Sequence, residues 1–191
     1  KEIGYHPEYW GQKGHYGVAI LSKKKPVEVQ KGFIKDTAED QKRFIQAKFK
    51  WGKKSITIMN GYFPQGENRT HETKFPKKIK YYSDLKKHIK KTQKTEDNIV
   101  VMGDFNVAPS PLDIGIGEIN AKRWLKEGKT AFLPEEIAMW NSIKDLGFID
   151  SWREQNPDEG SIYSWFDYRS RMFNDTPKRG LRIDHIMISE T

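Results

Sequence analysis

Asp104 and Asn106 stand two residues apart in the stretch NIVVMGDFNVAPS, Asn98 to Ser110. In extended chain, residues two apart share a face, so a carboxylate and an amide point together into one space while Phe105 turns the other way. The carboxylate accepts hydrogen bonds and the amide both donates and accepts. Such a pair could hold a metal ion, take a proton from water or steady a phosphate oxygen. An Asx turn closing a strand would use the same residues without any chemistry. Asp184, in RGLRIDHIMIS, poses the question again. Alternation sets it on one face with Arg182, Ile186 and Ile188, where a carboxylate fits only if that face opens into a cleft. His185 is its strand neighbour and points away from it, which favours a structural role. Tyr62, Gln65 and Asn68, in NGYFPQGENR, add a phenol and two amides suited to phosphate oxygens.

These groups need strands that stop beside one another. Ile99 to Met102 is an apolar run that reads as a buried strand, and Gly103 lets the backbone bend after it. Ser55–Phe63 reads as a second strand with a polar end. Gly14–Ser22 predicts another, with a further one around Val27–Gln30. Arg43–Trp51 alternates Phe44, Gln46 and Lys48 against Ile45, Ala47 and Phe49, the pattern of a half-exposed strand. SIYSWFDY and GLRIDHIMIS predict two more. From Lys74 to about Lys94, Ile79, Tyr82, Leu85 and Ile89 form an apolar helical stripe, with the lysines of KKHIKK on the solvent side. PEEIAMWNSIKDLG reads as a helix with Pro134 in its first turn and Gly147 as its stop. The chain between Asn106 and that helix reads as irregular. Several strands with few helices predict an α+β fold, two packed sheets with helices outside. Three strands that end in polar side chains point to a phosphate-handling cleft.

The chain has 191 residues and no cysteine. That length fits one domain with a real core, and thiol chemistry, disulfides and Cys-based zinc sites are excluded. No apolar run is long enough to span a bilayer. Lysine and arginine number 34 against 26 acidic residues, a formal charge of +8. An excess of that size fits a polyanionic partner, nucleic acid above all, although genome-wide composition bias gives the same excess.

GQKGHYGVAILSK, NGYFPQGENR, VMGDFNVAPSPLDIG, SWFDYRS and RGLRID, in this order, resemble the exonuclease III group of the endonuclease/exonuclease/phosphatase superfamily. The resemblance implies a four-layered α/β sandwich, DNase I-like, with mostly antiparallel sheets. It implies a Mg²⁺-dependent nuclease, with Mn²⁺ as substitute, acting on double-stranded DNA at abasic sites and 3′ ends. A bacterial-type cytoplasmic, nucleoid-associated monomer with no membrane partner is the accompanying expectation. By the same resemblance Asp104 is the general base for the attacking water, and Asn106 steadies the transition state near the metal, the two forming the metal-contacting pair. Tyr62 meets the scissile phosphate and Asp184 orients a catalytic histidine. Arg43 and Gln65 lie near DNA phosphates, and Trp165 lies in the loop that probes an abasic site, with Phe166, Leu181 and Ile183 as apolar helpers. The family's N-terminal asparagine and metal-binding glutamate, and its C-terminal Ser-Asp-His, have no match here. Residues 1–191 therefore read as a single domain truncated at both ends, whose isolated chain is expected to cleave DNA negligibly. A superfamily phosphatase or lipase, and a DNA-binding remnant without catalysis, are the competing readings.

Overall fold

The computed structural model describes residues 3–94, 98–169 and 171–190. Its elements in chain order are β1 (His6–Gly11), β2 (Gly17–Ser22), β3 (Glu28–Lys31), β4 (Phe44–Trp51), β5 (Lys54–Tyr62) and α1 (Lys74–Thr92). They continue as β6 (Ile99–Asp104), α2 (Glu118–Glu127), α3 (Pro134–Lys144), β7 (Phe148–Asp150), α4 (Ser151–Gln155) and β8 (Asp184–Ser189). A two-stranded sheet, β1-β2, accompanies a six-stranded sheet of order β3-β4-β5-β6-β8-β7. Among the described residues only β5 and β6 are parallel, joined by a crossover through α1; the other neighbours are antiparallel. The expected α+β arrangement of two sheets with helices is what the chain adopts.

Each face of the large sheet has its own cover. Met59, Val101, Phe105 and Met187 join Tyr82, Leu85 and Ile89 of α1 and Trp140 and Ile143 of α3 in the main core. On the other face, β2 lies against β4 and β5, and Asn60 Nδ2 donates to the Ala19 carbonyl at 2.9 Å. A smaller cluster of Ala108, Ile116, Phe132, Leu181 and Ile183 sits under the loops after β6.

Helix α1 falls where its periodicity predicts, but its buried row is Phe75, Lys78, Tyr81, Tyr82, Leu85, His88 and Ile89. Ile79 is 46% exposed. One residue is 100° of helical rotation, so the row running through Lys78 leaves Ile79 outside it. SIYSWFDY is not a strand; only Trp165 makes a bridge, to Leu181. Trp165 and Leu181 exchange both backbone hydrogen bonds, at 2.9 Å each, and the pairing goes no further. Gly14–Ser22 shortens to Gly17–Ser22 because Tyr16 has φ of 71° and leaves extended conformation. GLRIDHIMIS pairs as a strand only from Asp184. Arg182 therefore escapes the predicted alternation, and its guanidinium binds Asp113 and Asp150. Sequence periodicity missed β1, β7, α2 and α4. Helix α2 buries none of its residues fully, although Ala121 and Trp124 pack half-buried against the smaller cluster.

Candidate active site

Parallel pairing of β5 with β6 sets Tyr62 opposite Asp104, and antiparallel pairing of β6 with β8 sets Asp104 opposite Asp184. Residues directly opposite one another in a sheet project to the same side. Tyr62, Asp104 and Asp184 therefore form one row across three strands, where β5 and β6 end and β8 begins. Gly103 makes the row fit. Its φ is 128°, and a Cβ there would collide with the Gly61 carbonyl on the neighbouring strand.

Asn106 fixes the Asp104 carboxylate. Its backbone N–H donates to Asp104 Oδ1 at 2.8 Å, and its Nδ2 donates to Asp104 Oδ2 at 3.0 Å. The second Nδ2 hydrogen goes to the Phe63 carbonyl at 2.9 Å. Asn106 reaches this position with φ of 53°, a conformation asparagine tolerates better than most residues. The φ > 0 turn thus replaces the extended pairing that the sequence predicts, while still bringing the two side chains together. Burial, and next the charge of Asp184, push the Asp104 carboxyl up to about 6, against smaller opposing effects from Asn106, Lys78 and Arg43.

Arg43 is only 8% exposed. Its guanidinium lies 4.0 Å from the ring centroid of Tyr16 and 4.5 Å from that of Tyr62. Arg43 Nη1 donates to the Tyr62 carbonyl at 3.0 Å and Nε to Gln41 Oε1 at 2.6 Å. It thus braces Tyr62 from behind. Gln65 donates to Thr130 Oγ1 at 3.0 Å and accepts from the Glu67 N–H at 2.8 Å. Trp165 is half-buried and packs on the Leu181–Ile183 cluster. Leu181 and Ile183 are both buried, so neither is placed to fill a gap in DNA; half-buried Phe166 stacks edge-on with Tyr163.

His185 is buried on the opposite face, its Nε2 2.8 Å from the Val107 carbonyl and its Nδ1 3.5 Å from Asp150 Oδ2. No histidine hydrogen-bonds Asp184 among the described residues. Ser164 Oγ accepts the N–H groups of Ile183 and Asp184, at 3.1 Å each, and fixes the start of β8.

Several residues around the site escaped sequence reasoning. Asn60 lies on the face of Tyr62, two residues before it on β5, and a polar residue in line with Tyr62 was the available signal. Lys78 is fully buried and donates to the Asn106 carbonyl at 2.8 Å and to Glu136. Nothing in KFPKKIKYY separates that lysine from its exposed neighbours. Asp113, Asp150, Arg153 and Arg182 form a charged network behind β8, with Arg182 Nε 2.7 Å and Arg153 Nη2 2.6 Å from Asp113 Oδ1.

Residues 3–191 match the Endonuclease/Exonuclease/phosphatase family. The chain is 50% identical over 190 residues to exodeoxyribonuclease III of Haemophilus influenzae, covering 100% of this chain and 70% of that enzyme. It is 26% identical over 191 residues to the DNA-(apurinic or apyrimidinic site) endonuclease of Dictyostelium discoideum, covering 100% of this chain and 49% of that protein. The 3′ phosphatase NExo from Neisseria, solved bound to product DNA hairpin, matches with a TM-score of 0.86 at 31% identity, over 98% of this chain and 68% of that one. An AP endonuclease from Archaeoglobus fulgidus matches with a TM-score of 0.82 at 33% identity, over 98% and 68% of the two chains. The row of Tyr62, Asp104 and Asp184 thus stands in a chain that belongs to the endonuclease/exonuclease/phosphatase family, and within it to the exonuclease III-type hydrolases.

Proposed function

We propose that the protein is a DNA repair nuclease that hydrolyses phosphodiesters of double-stranded DNA at abasic sites and 3′ ends. The observation that carries this reading is the row of Tyr62, Asp104 and Asp184 on one face of the sheet. The +8 charge fits a polyanionic substrate. Relatives named for exonuclease and abasic-site endonuclease activity support the substrate class. A monomer working in the cytoplasm on chromosomal DNA is part of the same reading; among the described residues no helix is long and apolar enough to cross a membrane.

Among the described residues no group of three or more His, Asp or Glu side chains is gathered to hold a metal ion, so the carboxylates of this row form a partial donor set. Asp104 and Asp184 are hard oxygen donors on adjacent strands, and burial first, with the Asp184 charge second, raises the Asp104 carboxyl. We assign the cation contact to Asp104 and Asn106, with Asp184 left to orient an imidazole, and Mg²⁺ as the ion such oxygens favour. The ion would supply positive charge to the phosphate oxygens as they become more negative. Ionised above about pH 6, Asp104 accepts the proton of the attacking water. Asn106 holds both Asp104 oxygens and keeps the carboxylate aimed. The Tyr62 hydroxyl, braced by Arg43, donates to a non-bridging phosphate oxygen. Asp184 is open at the row's end, where it can orient an imidazole. Gln65 and Arg43 are assigned to the phosphate-facing loops, and Trp165, half-buried on the Leu181–Ile183 cluster, is assigned as the residue that tests for a missing base.

Release of phosphate from 3′ ends is a second reading, favoured by the likeness to the Neisseria 3′ phosphatase. One experiment addresses both. A protein that contains this chain and spans the full length of its relatives is given a duplex with a single abasic site and a duplex with a 3′-phosphate, in Mg²⁺. Asp104→Asn keeps the shape and removes the base, and should lower cleavage by about 10²–10⁴-fold while DNA binding persists. Near-wild-type turnover of both substrates by the variant would reject the assignment.

A further inference from the structure

Asn106 aims the carboxylate of Asp104, but something must hold Asn106. Its φ of 53° lies in a region that costs energy for any residue with a side chain. The peptide planes around it are held from the helical side of the sheet. Tyr82 Oη donates to the Phe105 carbonyl at 2.9 Å. Lys78 Nζ donates to the Asn106 carbonyl at 2.8 Å. His185 Nε2 lies 2.8 Å from the Val107 carbonyl. Consecutive carbonyls, 105 to 107, thus each meet a buried side chain.

The first two contacts fix the conformation of Asn106. The plane of the Phe105–Asn106 peptide carries both the carbonyl bound by Tyr82 and the N–H that donates to Asp104 Oδ1. The next plane carries the carbonyl bound by Lys78. With both planes set, φ and ψ of Asn106 are set, and so is the direction of its Nδ2.

Lys78 has a second task. Its Nζ also reaches the Gln65 carbonyl at 3.2 Å, tying the loop after β5 to the loop after β6. Glu136 completes the ammonium's contacts, and its Oε2 accepts the N–H groups of Ala131 and Leu133 at 2.8 and 2.9 Å. Fold stability alone is a poor reason for this pair. A buried ion pair can often be replaced by apolar side chains of similar volume at no loss, or with a gain. Here the charge is aimed at loop carbonyls beneath the candidate site.

We propose that Lys78 and Tyr82 of α1 are positioning residues for the reaction, acting through Asn106 on the orientation of Asp104. This rests on the reading of Asp104 as the reacting carboxylate. Misplacement of a reacting group by about 1 Å can cost about 10²-fold in rate. The effect should fall on kcat, because neither residue is exposed to DNA.

The test compares Lys78→Met, Lys78→Arg and Tyr82→Phe in a protein that contains this chain and spans the full length of its relatives, with Ile143→Ala as a core variant that lowers stability away from the loops. Cleavage of abasic duplex is measured below the melting temperature of each. Lys78→Met should lose about 10- to 100-fold in kcat, and Tyr82→Phe about 3- to 10-fold, with KM within about threefold of wild type. Lys78→Arg, which keeps a donor, should recover part of the loss, and Ile143→Ala should keep its kcat. Wild-type kcat in Tyr82→Phe or in folded Lys78→Met would overturn the proposal. So would an equal kcat loss in Ile143→Ala. Tyr82→Phe alone decides the matter if Lys78→Met does not fold. Amide NMR separates this inference from the reading beneath it. The backbone and Nδ2 signals of Asn106 should shift in Tyr82→Phe whether or not the wild type cleaves DNA, and unchanged signals would refute the positioning role. Loss of cleavage in Asp104→Asn tests the site reading on its own.

Discussion

Replacing Arg182 by methionine removes a guanidinium from the network behind β8 while keeping much of the side chain's length and apolar stem. Arg182 gives Asp113 a hydrogen bond from Nε at 2.7 Å, and gives Asp150 two, from Nη2 at 2.6 Å and Nη1 at 3.3 Å. Asp113 would keep Arg153 at 2.6 Å and the Ser110 N–H at 3.1 Å. Asp150 would keep only the Arg153 N–H at 3.3 Å and His185 Nδ1 at 3.5 Å. The loss therefore falls on Asp150. Breaking one side of a buried pair costs about 3–5 kcal/mol, and the contacts Asp113 retains favour the lower half of that range. The pH dependence gives a second, sharper signature. Burial pushes the Asp150 carboxyl up, but hydrogen bonds from His185 and Arg182 outweigh it and hold the group below the usual carboxylate range. Its stabilisation is present above the unfolded pKa and is lost as pH falls below it. Without Arg182, His185 is left as the main group opposing burial, and the carboxyl moves up from its depressed position. The variant therefore loses less stability than the wild type as acid protonates Asp150. Urea unfolding at pH 7.5 and pH 3 should show a gap of about 3–4 kcal/mol at the higher pH that narrows by roughly 1 kcal/mol on acidification. A gap under about 1 kcal/mol at pH 7.5, or one equal at both pH values, would refute this account.

Other perturbations report on separate parts of the molecule. Burial lowers the His88 pKa to about 4, with Lys91 adding to the effect. Stability from neutral His88 is present above pH 6.5 and falls as pH drops toward 4, by about 3 kcal/mol in all, so His88→Gln should flatten urea midpoints over that window. Gly103→Ala should lower stability by about 3 kcal/mol or more or abolish soluble expression, because strain at positive φ adds to a backbone collision; normal melting would contradict the close strand approach. Trp165→Ala should reduce the preference for abasic over intact duplex, measured by competition binding, more than it reduces overall affinity. A lower melting temperature with unchanged preference would mark Trp165 as only part of the Leu181–Ile183 cluster.

The site was legible in sequence wherever it was written locally. Tyr62, Asp104 and Asp184 each interrupt an apolar run, so their strands announced them. What lay behind them was not local. The acceptors of Lys78 come from residues 65, 106 and 136, and no window of sequence holds that information. Arg182 read as a neighbour of Asp184 because alternation was extended past the true strand start. Its partners, Asp113 and Asp150, lie 69 and 32 residues away. SIYSWFDY has strand-like composition, yet a single bridge to Leu181 exhausts its pairing. Composition cannot report whether a partner strand is present. The positive φ of Asn106 was equally invisible, since extended spacing and a tight turn both bring side chains two apart to the same place.

The cross-strand row at the site also has a kinetic meaning. Tyr62, Asp104 and Asp184 are held by rungs of the sheet ladder, in the part where β5, β6 and β8 meet. A slip of one residue in any of these strands would send its functional side chain to the opposite face. The spacing of the row therefore cannot drift by small amounts; it persists or it is lost with the ladder. Hydrogen exchange at Asp104 should accordingly require the same large opening as the centre of the sheet, while Gln65 and Trp165, on loops, exchange through smaller openings. Adaptation to a new DNA lesion would then proceed through those loops, leaving the spacing of the reacting groups unchanged.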